Sequence, residues 1–81
     1  MIYPNQAKSF VAGVNITDGT ATKLRDKEGQ EWVVNATMNL GHKLVLAKVE
    51  AGEPIMGVAY WNVVDTRIIN HTEYCDWEVV G

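Results

Sequence analysis

A single cysteine, Cys75, excludes an internal disulfide, so no covalent staple can hold this chain together. That scarcity agrees with a reducing compartment. No apolar run approaches the ~18–20 residues of a membrane-crossing helix. The opening Met1-Ile-Tyr-Pro-Asn-Gln lacks both the basic start and the apolar stretch of a signal peptide. A cytoplasmic protein with no membrane role is expected. Bases are scarce too: seven Lys and Arg stand against ten Asp and Glu, for a net charge of −3. Residues 1–49 carry six bases against four acids, and residues 50–81 carry six acids against Arg67 alone. No basic stripe exists to displace counterions, which argues against nucleic acid as a partner. Also missing are a Gly-rich phosphate loop, a nucleophile elbow and any Ser/His/Asp order that suggests a triad.

What is present is the composition of an ordinary folded domain. At 47% hydrophobic and 21% charged, the chain is neither disordered nor a coiled coil. Its 81 residues allow one domain, 1–81. A chain this short buries only about 60–65% of its unfolded surface, so a second copy or a larger partner protein is expected to supply part of its stability.

No segment keeps a helical period over a dozen residues. Short stretches rich in Val, Ile, Thr, Tyr and Trp recur instead between Gly, Asn and Asp. The reading is all-β, with strands near Ser9–Ile16, Ala21–Arg25, Glu31–Thr37, Lys43–Val49, Met56–Trp61, Val63–Ile69 and Tyr74–Val80. Six or seven short strands in so small a chain suit a β-clip or compact barrel. Leu44-Val45-Leu46-Ala47 is apolar on both faces and reads as a central strand. Asp26-Lys27-Glu28-Gly29 reads as a hairpin end. Gly19 and Gly52 each follow an apolar strand end by three positions, a faint echo of two related strand-turn units.

The stretch from Asn39 to Ile55, with Gly41-His42-Lys43, the apolar Leu44-Val45-Leu46-Ala47 and Gly52-Glu53, resembles the SAF-like domain of the altronate and galactarate dehydratase family. Related small subunits occur in sulfolactate lyases. The resemblance extends over residues 10–55 and fades afterwards. Where the family has Tyr-Gly-x-x-Ile-Gly and a closing histidine-bearing segment, this chain has Tyr60-Trp61-Asn62-Val63-Val64 and Asp76-Trp77-Glu78-Val79-Val80. The resemblance implies a β-clip and a small carboxylate or sugar-acid ligand near His42 and Lys43. It implies no complete enzyme, because the family's activity needs a much larger second domain or subunit.

Two further constellations stand on the residues themselves. If extended, His71-Thr72-Glu73-Tyr74-Cys75 puts His71, Glu73 and Cys75 on one face, offering N, O and S donors to a divalent metal. Neighbours Tyr60 and Trp61 must point to opposite faces of a strand, so a core on one side leaves apolar surface on the other. Self-association or partner docking is expected through Met56 to Val64, with Tyr60 and Trp61 at the centre of the interface. Two functions remain open at this level. One is an accessory subunit or ligand-binding domain related to sugar-acid dehydratases and lyases, without turnover when isolated. The other is a non-catalytic binding protein of phage type: a capsid decoration, a host-protein inhibitor or a small-molecule sponge.

Overall fold

A computed structural model describes residues 1–13 and 21–80. Five strands form a single antiparallel sheet: β1 (Lys23–Arg25), β2 (Glu31–Met38), β3 (Lys43–Ala51), β4 (Trp61–Asn70) and β5 (Glu78–Val80). Their spatial order is β4-β3-β2-β1-β5, so β4 and β5 are the edges among the described residues. Two single-turn helices, α1 (Pro4–Ala7) and α2 (His71–Tyr74), and a 3₁₀ turn complete the regular structure among the described residues. The protein is an all-β small domain, as its period-2 pattern predicts. No helix among the described residues is long and apolar enough to cross a membrane.

Local chemistry explains each connection. At the β1–β2 turn the Asp26 carboxylate accepts from the Glu28 and Gln30 N–H groups, while Gly29 takes φ 85°, which only glycine adopts freely. β2 passes to β3 through a 3₁₀ turn, Asn39–Gly41, in which three successive residues have positive φ. A Cβ at Gly41 would stand on the Pro4 backbone carbonyl, so this glycine is what lets α1 seat against the turn.

One face of the sheet carries the core. Leu24 of β1, Trp32 and Val34 of β2, Leu44 and Leu46 of β3 and Ile69 of β4 are buried there under Ile2, Ala7, Tyr74 and Trp77. Burying a leucine side chain such as Leu44 or Leu46 contributes roughly 1.5–3 kcal/mol. A smaller cluster on the opposite face gathers Ala21 and Val33, with Val49 and Trp61 packed on them. β3 lies between β2 and β4, the central place its doubly apolar sequence predicts.

Three predicted strands differ. Residues 9–13 form no strand, although Val11 and Gly13 bond to Thr22 and Val34; the remainder of Ser9–Ile16 and the Gly19 turn lie outside the described residues. Met56–Trp61 is mostly a tight turn. Ile55 and Val58 exchange both backbone hydrogen bonds around Met56 and Gly57, and β4 begins only at Trp61. Of Tyr74–Val80, only Glu78–Val80 is extended, because Tyr74 closes α2 to bury its ring in the core. The described residues thus hold five strands where the pattern suggests six or seven.

Candidate functional site

His42 and Lys43, paired by sequence, part in space. His42 follows the 3₁₀ turn and lines an open groove of about 720 Å³ with Tyr3, Pro4, Lys8 and Leu40. Lys43 opens β3, half-buried opposite Met38 and Asn70, and does not line that groove. The His42 ring stands edge-on to His71, with centroids 6.4 Å apart, and the His42 carbonyl accepts the His71 N–H. Tyr74 donates its hydroxyl to the Gly41 carbonyl, and burial raises its pKa above the ordinary phenol value. The groove therefore has a firmly anchored floor, while Tyr3 and Leu40 project into solvent at its rim.

The three proposed metal donors do not converge. They lie on and just after the helical turn α2, where residues two apart diverge, so the shared face an extended segment would create is lost. Each has other company. His71 Nε2 sits 2.8 Å from the Ile2 carbonyl, Glu73 accepts from Arg67 Nη2 at 3.1 Å, and Cys75 Sγ lies 3.7 Å from the Thr72 carbonyl. Among the described residues no group of three His, Cys, Asp or Glu side chains is arranged to hold a metal ion.

A charged cleft escaped the sequence reading. The Arg67 guanidinium lies 5.8 Å from the Trp32 ring centroid and 5.7 Å from that of Trp77, close enough for cation–π attraction to both. Beside it Asp26 accepts the Trp32 indole N–H at 3.1 Å. Burial works against the charged Asp26 carboxylate, yet the Gln30, Trp32 and Glu28 N–H groups and the Arg67 charge together hold its pKa below the ordinary 3.8. Lys27 and Asp76 close the rim with an ion pair at 2.7 Å, a hydrogen bond that raises the lysine's pKa and lowers the aspartate's. Every charge in the cluster faces an opposite charge or a hydrogen bond. The arrangement joins β4 and α2 to the β1–β2 turn and is structural.

An uncovered apolar feature is the arm formed by the far half of β3, the turn after it and β4. Tyr60 folds back onto Gly52, where any Cβ would overlap its ring. Trp61 packs with Val49 against Ala21 and Val33. Both aromatics brace the arm and are half-buried. The exposed apolar side chains are their neighbours: Ile55, Met56, Val58, Val63, Val64 and Ile68. The valines and Ile68 were readable as strand residues, but their exposure follows from no described segment covering their side of β4, which local sequence does not specify.

The chain matches no protein-family model, no curated protein and no solved structure.

Proposed function

We propose that this chain is a non-catalytic binding domain whose arm joins it to a second copy of itself. The observation that carries this reading is the unbroken exposure of Asn62 to Ile68 along edge strand β4, which sets Val63, Val64 and Ile68 in solvent next to strand backbone that no described residue pairs. Such an edge invites pairing unless it is short, bulged or charged. β4 is ten residues long, and its one bulge, at Val64, leaves Asp65–Asn70 regular. A second copy suits it because Asp65 and Arg67, of opposite sign, stand two positions apart and can answer each other across a symmetric contact. Sedimentation velocity across the micromolar range tests this. A dimer is expected in the native chain, and Val64→Asp with Ile68→Asp is expected to give a folded monomer. A native chain that stays monomeric at high micromolar concentration overturns the reading.

A second reading rests on the groove at His42. As a relative of SAF-like small subunits, the domain would place a sugar acid there, with Lys8 rather than Lys43 as the nearby cation. Titrating the protein with galactarate while following the His42 ring resonances tests it. Saturable shifts, lost in Lys8→Ala, support the ligand role, and unchanged spectra at millimolar galactarate reject it.

A further inference from the structure

Resting on the reading that the arm joins two copies, we infer the register of that joint: β4 pairs antiparallel with β4 of the second copy about a two-fold axis at Thr66. The backbone fixes which groups are on offer. The His71 N–H bonds to the His42 carbonyl at one end of the β3–β4 ladder. With Leu44 opposite Ile69 and Leu46 opposite Arg67, residues 65, 67 and 69 therefore turn their N–H and C=O groups inward to β3. Residues 66, 68 and 70 turn theirs outward. Among the described residues the outward Thr66 N–H meets its neighbour's carboxylate, Asp65 Oδ1 at 2.9 Å.

Charge then selects among the symmetric registers. An axis at residue 65 would set Asp65 against Asp65, and an axis at 67 would set Arg67 against Arg67, both repulsive. An axis at 66 sets Asp65 of each copy opposite Arg67 of the other, in a non-hydrogen-bonded pair where side chains approach most closely. It also sets Thr66 against Thr66, exchanging two backbone hydrogen bonds, and brings Val64, at the bulge of β4, toward Ile68 of the other copy twice over. Asp65 releases the Thr66 N–H as it turns to the other copy's guanidinium. Arg67, which lies over Trp32 and Trp77 and bonds Glu73 through Nη2, turns outward from the two rings to meet that carboxylate. In the monomer the Asp65 carboxylate covers the outward donor, which discourages pairing in any register that fails to supply an arginine.

Three variants of the full chain test the register, each checked by near-ultraviolet circular dichroism. Thr66→Pro removes the outward N–H without touching the β3 ladder and is expected to weaken dimerisation at least tenfold. Asp65→Arg, which faces Arg67 with a like charge, is expected to do the same. In a Cys75→Ser background, Thr66→Cys should form a covalent dimer under oxidised glutathione, whereas Ile68→Cys, facing Val64, should not. Should Thr66→Pro fail to fold, Asp65→Arg and the cross-linking pair decide the matter. A native dimer that tolerates Asp65→Arg, or that cross-links at 68 in preference to 66, overturns the register while leaving the arm as the contact. A native monomer overturns both.

Discussion

The two ends of this sheet solve opposite problems. Near α2, every polar group brought under cover has a partner: Tyr74 reaches the Gly41 carbonyl, His71 the Ile2 carbonyl, and Asp26 the indole of Trp32. At the arm, apolar side chains stand in water, with Met56 97% and Ile68 64% exposed. The same strand, β4, shows the contrast between adjacent residues, burying Ile69 in the core and leaving Ile68 exposed on the opposite face of the sheet. Stability is thus concentrated at one end, and the other is left open for contact. A domain of this size has little stability to spare, so covering the apolar surface of β4 with the proposed second copy would add to it.

The sharpest way to break the comparison is to delete equivalent side chains at the two ends. Leu46→Ala should lower unfolding free energy by about 2–5 kcal/mol, because the side chain is fully buried and its neighbours cannot close the cavity. Ile68→Ala should change the stability of the dilute monomer by less than about 0.5 kcal/mol, as expected for surface positions. Urea denaturation below the dimerisation range measures both. Equal losses at the two sites would mean that the arm is as much a part of the core as β3.

A smaller effect sharpens the picture of the supported end. Asp26→Ala removes the acceptor for two backbone N–H groups and one indole N–H and should cost about 1–3 kcal/mol. The pH dependence has a definite sign. The folded-state pKa of Asp26 lies below its ordinary 3.8, so its contribution is complete above that value and is lost as pH falls through the lower folded value. Thermal melts of the native chain should therefore fall in midpoint below about pH 4, and those of Asp26→Ala should fall less steeply over the same range. Parallel curves would show that Asp26 is not among the groups that acid titrates out of the fold.

Much of the supported end was legible in the sequence. Leu44-Val45-Leu46-Ala47 announces a central strand because it is apolar on both faces, and Asp26 to Gly29 announces a turn by its chemistry. The helical turn at His71–Tyr74 was not legible. Four residues carry no period, and what closes them into a turn is the burial of Tyr74 against residues far away in the chain. The candidate metal triad failed for that reason, since it depended on an extended backbone. Tyr60 and Trp61 drew attention as aromatics, yet Gly52 and Val33 absorb them, and the exposed surface fell to plain aliphatic neighbours. Which strand forms an edge is a property of topology, and no local window contains it.

The smallest effect concerns the tip of the arm. Ile55 and Val58 exchange hydrogen bonds at 3.1 and 2.9 Å around Met56 and Gly57, whose φ values are 52° and 79°. Positive φ at both central residues is the hairpin geometry that asparagine followed by glycine satisfies best. Methionine in the left-handed region is strained by roughly 1–2 kcal/mol, whereas asparagine tolerates it. Met56→Asn should therefore stabilise the monomer by about 0.5–1 kcal/mol, read as a small rise in urea midpoint with an unchanged slope. If the methionine is kept there to meet the second copy, the same variant should weaken the dimer while strengthening the fold. A rise in stability with association unchanged would show that the tip takes no part in the contact, leaving the pairing to the stretch of β4 around Thr66.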